Sequence, residues 1–255
     1  MQGNEQIADT VAALVREARR ILVITGAGIS ADSGLPTYRG TGGLYNGRLT
    51  KSGMSIEEVL SGTTFARAPQ LTWEYLLEIE RACRGAQPNP AHHAIAELGE
   101  TRQVTVLTQN IDGLHRVAGT RDLIEIHGTL YRLLCLGCGA RSEVPDYAEL
   151  DLPPTCRACG ELLRPEVVLF GEALPRECLH ALHNALLDGP DLIVSIGTSS
   201  VFPYIAEPIF YGRENGIATV EINPEETQIS GAVDHIWRAG AAEAMVAVMD
   251  QLADE

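Results

Sequence analysis

The chain has 255 residues, 45% of them hydrophobic and 5% aromatic, which is enough for one sizeable core and a small second module. A formal net charge of −15, from 19 basic and 34 acidic residues, argues against nucleic acid as a direct ligand, because such binders usually carry a basic stripe. Met1–Glu5 contains no basic residue, and no apolar run reaches the roughly 20 residues that span a bilayer. We therefore expect no signal peptide, no membrane anchor and a cytoplasmic location.

Apolar residues at helical spacing predict an amphipathic helix over residues 5–20, followed by a strand over residues 21–25. That strand leads directly into Gly26-Ala27-Gly28-Ile29-Ser30-Ala31, which has the G-x-G-x-x-A spacing of dinucleotide-binding folds. Gly26 allows a tight turn and Gly28 the close approach of a phosphate, while the backbone N–H groups that follow face the anion. The loop predicts a ligand with a nucleotide pyrophosphate.

The segment after this loop departs from a hydride-transferring Rossmann domain, which continues with a regular helix and an acidic residue about 20 positions on that binds ribose. Here the chain has six glycines and prolines between Gly34 and Gly47, with Arg39 as the first cation. Such a density of helix breakers predicts a long loop. It is either a lid over the substrate or a surface excursion without function.

Beyond the loop, Ser55–Glu58 has the spacing of a capping box, Pro69–Cys83 has the pattern of a helix opened by proline, and a further helix begins at Asn89-Pro90. Short apolar strands then alternate with helices, as in a parallel, doubly wound sheet. The predicted strands are 104–107, 123–126, 192–196 and 218–222, and the predicted helices are 111–118, 176–187, 203–214 and 241–252.

Residues 129–165 interrupt this alternation with two C-x-x-C pairs, Cys135/Cys138 and Cys156/Cys159. Four thiolates at this spacing complete a tetrahedral shell, so the pattern predicts one structural Zn²⁺ in a zinc-ribbon module that has little core of its own. Two disulfides or four unrelated thiols are the alternatives. The other two cysteines, at positions 83 and 178, are interpreted as buried free thiols.

Polar residues follow the predicted strand 104–107, at the rim where ligands bind in parallel sheets. Gln109, Asn110 and Asp112 supply amides and a carboxylate there, although Asp112 could equally cap the next helix. His127 follows the neighbouring strand at the same rim, where it is either a structural histidine or a general base. The other six histidines are assigned no role.

These motifs occur together in an order that resembles the sirtuins, the NAD-dependent protein lysine deacylases, from about residue 7 to 250. The resemblance rests on segments 26–30, 33–39, 108–112, 127–128, 167–172, 197–199 and 222–225 and on the paired C-x-x-C. It implies an α/β fold: a Rossmann-like doubly wound parallel sheet with an inserted zinc-ribbon module and a helical and loop subregion. Residues 1–31, 86–128 and 166–255 would form the NAD-binding domain, 32–85 the cofactor loop and helical part of the small domain, and 129–165 the zinc-binding module.

The resemblance also implies that NAD is consumed as a co-substrate in the cleft between the two domains. Asn110 and Asp112 would hold the nicotinamide end, and His127 would deprotonate a ribose hydroxyl to collapse an alkylimidate. The residues implied to contact NAD are Gly26, Ala27, Gly28, Ser30, Tyr38, Arg39, Gln109, Asn110, Ile111, Asp112, Gly197, Thr198, Ser199, Asn223 and Ala241.

For the acyl-lysine substrate, the resemblance implies that Val168 and Phe170 line a tunnel and that Gly171 and Glu172 pair with peptide backbone. Tyr38 stands where the family usually has Phe. Leu76 and Ile79 align with the Tyr and Arg that grip an acidic acyl chain in some members. A carboxylate buried beside these apolar residues would have no charge partner, at a cost of several kcal/mol.

The sequence thus predicts NAD-dependent removal of acetyl or other neutral acyl groups from protein lysines, with nicotinamide and O-acyl-ADP-ribose as products. The expected partners are acyl-lysine proteins or peptides, without nucleic acid or membrane. A mono-ADP-ribosyltransferase or NAD hydrolase on the same scaffold is one alternative, and a non-catalytic NAD-sensing module is another.

Overall fold

The structure is a computed structural model that describes residues 2–37 and 50–253. Its main sheet consists of the strands β1 (Arg20–Thr25), β2 (Gln103–Thr108), β3 (Asp122–Glu125), β7 (Leu192–Ile196), β8 (Ala218–Ile222) and β9 (His235–Trp237). These six strands are parallel, in the order β3-β2-β1-β7-β8-β9. The order reverses beside β1, as in a doubly wound fold, and the predicted α/β class is confirmed.

Helices cover both faces of this sheet, because side chains alternate along each strand and both faces are apolar. Ile21 and Val23 of β1 point into one core with α1 (Gln2–Glu17), α5 (Pro90–Thr101) and α9 (Ala241–Ala253). Leu22 and Ile24 point into a second core with α7 (Arg176–Leu187) and α8 (Pro203–Asn215).

A second, antiparallel sheet belongs to a smaller lobe with its own apolar core. It consists of β5 (Arg141–Glu143), β4 (Gly128–Cys135) and β6 (Leu163–Val167), in that order. The short helices α2 (Ile56–Val59) and α3 (Gly62–Arg67) and the longer α4 (Pro69–Cys83) complete the lobe. Trp73 of α4 connects them, since its indole N–H donates to the carbonyl of Leu163 and its ring packs edge-on against Tyr147.

Most predicted boundaries agree with the structure, but two helices differ from their predicted bounds. The helix predicted over residues 5–20 lies over Gln2–Glu17, three residues earlier. It ends at Glu17 because the chain turns and Asp191 accepts the backbone N–H groups of Arg19 and Arg20 as β1 begins. The predicted helix 111–118 is reduced to α6 (Leu114–Val117), because Gly113 has φ +73° and interrupts it. Among the described residues, no helix is both long and apolar enough to cross a membrane.

Candidate active site at the rim of the parallel sheet

The loops after the central strands meet at one edge of the main sheet. Strands β1, β2, β7 and β8 pair in register, and they end together at Thr25, Thr108, Ile196 and Ile222. The segments that follow these four residues are those that the sequence singles out for cofactor binding. The topology therefore brings together residues that are far apart in the chain, at the switch point where nucleotides bind in such folds.

The glycine loop packs directly on the loop after β7. The N–H of Gly28 donates to the carbonyl of Gly197 at 2.8 Å, and a Cβ on Gly28 would lie 2.7 Å from Gly197 Cα. Gly197 has φ +60°, and its own Cβ would lie 2.4 Å from the nitrogen of Ile29. Gly28 was expected to admit a phosphate, and the structure gives a further reason for glycine there, which is contact with the neighbouring loop.

A buried polar cluster lies beside this contact. The segment Ala27–Ser33 forms a 3₁₀ helix, and the hydroxyl of Ser30 donates to Asp112 Oδ2 at 2.7 Å. The amide of Asn110 donates to the carbonyl of Gly26 at 3.0 Å and lies 3.2 Å from Ser30 Oγ. Three side chains from two separate loops are thereby held in fixed orientations within one cluster.

Asp112 combines the two roles that its position suggested. Its Oδ1 accepts the backbone N–H of Leu114 at the start of α6, while Oδ2 accepts the Ser30 hydroxyl. Burial raises the pKa of the Asp112 carboxyl, and the two hydrogen bonds that it accepts oppose part of that rise. Asp112 therefore caps the helix and also presents a carboxyl group to the pocket.

A pocket adjoins the cluster, and both apolar and polar residues from three segments of the chain line it. They are Ala27, Ser30, Leu35, Pro36, Ile79, Ala82, Cys83, Asn110, Ile111 and Asp112. The pocket brings Ile79 of α4 next to the predicted cofactor residues. Leu76 lies one turn earlier, where it is packed in the core of the small lobe. Both α4 side chains are buried, with exposures of 1% for Leu76 and 5% for Ile79.

Two of the remaining cofactor candidates, Gln109 and Asn223, contact Thr198. Its hydroxyl accepts the side-chain amide of Gln109 at 2.7 Å, and its carbonyl accepts the amide of Asn223 at 3.1 Å. Ser199 is exposed beside them. Ala241 begins α9, whose second residue donates its N–H to Asp32 in the glycine-loop segment. Gln109, Thr198 and Asn223 thus form one hydrogen-bonded group that links the loops after β2, β7 and β8.

His127 lies at the same rim, at the end of the edge strand β3. Its Nδ1 is 3.0 Å from the carbonyl of Gln109, which can only accept, so Nδ1 carries the proton and Nε2 carries the lone pair. Burial lowers the pKa of His127, partly offset by the bond to Gln109, and this favours the neutral ring at pH 7. Gly128 follows with φ +76°, and a Cβ there would lie 1.7 Å from the carbonyl oxygen of Glu166, so only glycine fits.

The predicted substrate segment runs beside His127. Val168 donates its N–H to the carbonyl of His127, and Phe170 pairs through its backbone with Leu60 and Gly62 of the small lobe. The Phe170 side chain is 39% exposed. Gly171 makes the turn with φ +81°. The segment thus connects the predicted base with the helices of the small lobe.

The Glu172 side chain forms an ion pair and a backbone hydrogen bond within the protein. Its carboxylate accepts two N–H groups of Arg164, at 2.7 and 2.9 Å, and the backbone N–H of Leu169. Although burial opposes it, these contacts lower the pKa of Glu172. The side chain therefore fixes the turn, and the backbone N–H of Glu172 strengthens it by donating to the carbonyl of Leu169 at 3.0 Å.

The four C-x-x-C cysteines form one cluster at the far end of the small lobe. All four Sγ atoms lie within 4.8 Å of one another, with Cys135 and Cys159 at 3.4 Å and Cys138 and Cys156 at 3.8 Å. A tetrahedral Zn²⁺ with bonds of about 2.3 Å requires sulfur separations of about 3.8 Å. The backbone N–H of Cys138 donates to Cys135 Sγ at 3.4 Å, a hydrogen bond that lowers the pKa of the Cys135 thiol. The donor set fits zinc.

Tyr38 and Arg39, two of the predicted cofactor residues, lie outside the described residues, as does most of the predicted loop. Tyr204, whose hydroxyl contacts His127 Nε2, was not predicted from the sequence. The burial of His92 and His115 was not predicted either. An aromatic residue at the start of a rim helix was the available signal for Tyr204, whereas the histidine burial depends on tertiary packing.

This fold and these loops define a class of protein, the nucleotide-binding α/β proteins with an added tetrathiolate metal module. A model of the Sir2 family matches residues 26–203, and the chain belongs to that family. The chain is 50% identical over 256 residues to the NAD-dependent protein deacylase 2 of Pseudomonas aeruginosa, covering 99% of both proteins.

Solved structures agree with this assignment. The chain is similar to a Sir2 homologue in complex with NAD, with a TM-score of 0.85, 35% identity, and coverage of 96% of this chain and 94% of that one. It is also similar to a Sir2 complex with a p53 peptide and NAD⁺, with a TM-score of 0.82, 29% identity, and coverage of 96% and 98%.

Proposed function

We propose that this chain, as a Sir2-family enzyme, is an NAD-dependent protein deacylase that removes acetyl and other neutral acyl groups from lysine side chains. The products are free lysine, nicotinamide and O-acyl-ADP-ribose. NAD is the co-substrate, and its nicotinamide ribose receives the acyl oxygen as nicotinamide leaves. The resemblance to deacylases of about 50% identity supports the reaction class.

One observation is the main support for His127 as the general base. The imidazole of His127 is held in a single tautomer by Gln109, so Nε2, at the rim, is the unprotonated nitrogen of the neutral ring. Asn110 follows Gln109 directly, and its amide belongs to the buried cluster with Ser30. We assign His127 Nε2 to remove a proton from a ribose hydroxyl, the step for which a histidine of lowered pKa is suited near neutral pH.

The buried cluster would orient the reacting end of the co-substrate. Asn110 and Asp112 would hold the nicotinamide and its carboxamide, with Ile111 and Ser30 beside them. The fixed hydrogen bonds of these side chains support that role, because groups that are already oriented lose little entropy when the ligand binds. The loop contact around Gly28 and Gly197 would bind phosphate, and Asn223 the adenosine ribose.

The substrate side of the site favours neutral acyl chains. We propose that Val168 and Phe170 line the acyl-lysine channel, that the backbone of Gly171 and Glu172 pairs with the peptide, and that Leu76 and Ile79 face the acyl end. The two α4 side chains are apolar and buried, so an acyl carboxylate would lose its water without gaining a charge partner.

The remaining assignments concern the metal and the setting. Cys135, Cys138, Cys156 and Cys159 would hold a structural Zn²⁺, since four thiolates leave no open coordination position. A reducing compartment such as the cytoplasm keeps these thiols available for metal. The net charge of −15 supports lysine-bearing protein or peptide partners rather than nucleic acid, and we propose no membrane partner.

The test is an incubation of the zinc-loaded protein with NAD and one peptide sequence in acetyl, butyryl and succinyl forms, followed by mass spectrometry of all products. Deacylated peptide with equal amounts of nicotinamide and O-acyl-ADP-ribose is the expected result. Free ADP-ribose as the main product would indicate an NAD hydrolase, and ADP-ribosylated peptide a transferase. NAD that binds without any release of nicotinamide would indicate a non-catalytic sensor.

A further inference from the structure

The unprotonated nitrogen of the candidate base is already hydrogen-bonded to a tyrosine hydroxyl. His127 Nε2 lies 2.7 Å from the hydroxyl oxygen of Tyr204. Because Nδ1 donates its proton to the carbonyl of Gln109, Nε2 of the neutral ring can only accept. Tyr204 therefore donates its O–H to the lone pair that a general base needs.

Packing holds the tyrosine in this position. Phe202 and Tyr204 lie at the start of α8 with their rings stacked at 13° and 5.5 Å between centroids. Both rings meet His127 edge-on at 5.9 Å. Ile205, the next residue, is fully buried and anchors the helix. Burial raises the pKa of Tyr204, so the hydroxyl keeps its proton and stays a neutral donor.

An imidazole nitrogen has one lone pair, and it cannot accept a proton from a ribose hydroxyl while it accepts the phenolic hydrogen. We propose that Tyr204 is a positioning residue whose hydroxyl occupies His127 Nε2 in the ligand-free enzyme and is displaced by the ribose hydroxyl of NAD. This inference rests on the function proposed above for His127. The hydroxyl marks the place of the ribose oxygen, and it blocks the base until the co-substrates are bound.

The contact has a measurable consequence for binding. Each binding event exchanges one hydrogen bond at Nε2 for another, so the enzyme loses the Tyr204 contact as it gains the ribose. Tyr204→Phe keeps both stacked rings and removes only the hydroxyl. The KM for NAD should fall about 2- to 10-fold, the factor that corresponds to a typical net hydrogen bond, while kcat changes less than KM.

A chemical modification experiment without NAD tests the contact between Tyr204 and His127 independently of the deacylation reaction. Diethyl pyrocarbonate acylates the unprotonated nitrogen of imidazoles, so its rate at His127 reports how often Nε2 is free. By mass spectrometry of the His127 peptide, Tyr204→Phe should react about 2- to 10-fold faster than the parent protein. Exposed His183 should react at one rate in both proteins, and Tyr211→Phe on the same helix should leave His127 unchanged.

Equal rates at His127 in the parent and in Tyr204→Phe would overturn the inference, as would a kcat that falls more than tenfold with KM unchanged. If His127 reacts faster in Tyr204→Phe than in the parent but the parent deacylates no peptide, the proposed function is contradicted while the contact stands. A second measurement needs no variant: ¹⁵N NMR of the parent imidazole should show Nδ1 protonated and Nε2 hydrogen-bonded, and an Nε2-protonated tautomer would also refute the contact.

Discussion

Two buried histidines make the stability of this protein sensitive to mild acid. His92 and His115 have exposures of 0% and 2%, and their rings meet edge-on at 4.8 Å. His92 Nδ1 accepts the N–H of Asn89, and His115 Nε2 lies 3.0 Å from the hydroxyl of Thr25. Burial, followed by the charge of a neighbouring histidine, lowers the pKa of His92 to about 4 and that of His115 to about 3.

The direction of the effect follows from proton counts. An unfolded histidine has a pKa near 6.5, so between pH 6.5 and 4 the unfolded chain binds protons that the folded protein excludes. The resulting stability is present above pH 6.5 and is lost as the pH falls toward the folded pKa values. At about 1.4 kcal/mol per pH unit, each histidine lowers the free energy of unfolding by about 2 kcal/mol between pH 7 and pH 5. The two histidines together lower it by about 4 kcal/mol.

Urea unfolding at pH 7, 6 and 5 measures this loss as a slope of unfolding free energy against pH. In His115→Gln this slope should decrease by the amount that corresponds to about one bound proton, whatever the variant does to the free energy of unfolding at pH 7. His183→Gln alters an exposed histidine and is the control, so it should keep the slope of the parent protein. Asp112, whose raised pKa acts in the opposite direction, is common to all three proteins and cancels. Equal slopes in the parent and His115→Gln would refute the reasoning.

Three further predictions concern the proposed sites. Cys156→Ser should lower zinc content below one per chain and reduce the melting temperature by about 10 °C, as expected for several kcal/mol of lost metal binding; a zinc-free parent or an unchanged melting curve would contradict this. His127→Ala should reduce deacylation by about 10²–10⁴-fold with NAD binding largely retained in calorimetry, and a variant with the parent rate would remove the base assignment. Because Leu76 and Ile79 offer no charge, kcat/KM for an acetyl peptide should exceed that of its succinyl form by about a hundredfold, and comparable values would disprove the channel assignment.

The parts of the fold that were predictable are those with local causes. Pro69 fixes the first turn of α4, and the structure begins that helix at the predicted residue and ends it at Cys83, also as predicted. The capping box at Ser55 and Glu58 is present with both of its hydrogen bonds. Strands β7 and β8 have the predicted bounds, because short runs rich in β-branched residues between helices are typical of a central parallel sheet.

Elements that depend on distant partners were not predictable in the same way. The three-residue strand β9 carries little pattern of its own and forms because it pairs with β8. The small antiparallel sheet was not predicted, because residues 129–165 were interpreted from their cysteine pattern alone; of the four cysteines, only Cys135 lies on one of its strands. The same limit applies to the site: the motifs predicted Asn110, Asp112 and His127, whereas the contact between His127 and Tyr204 depends on where α8 packs.

The contact between Gly28 and Gly197 has a consequence for how the protein acquires its cofactor site. The loop after β1 and the loop after β7 come from distant parts of the chain, and neither has its final surface without the other. A site assembled from such distant segments costs loop-closure entropy, so it should form late in folding. During synthesis, the glycine loop emerges first but gains its partner only after most of the chain has been made. Fragments that end before β7 should therefore lack NAD affinity even where their own strands and helices form.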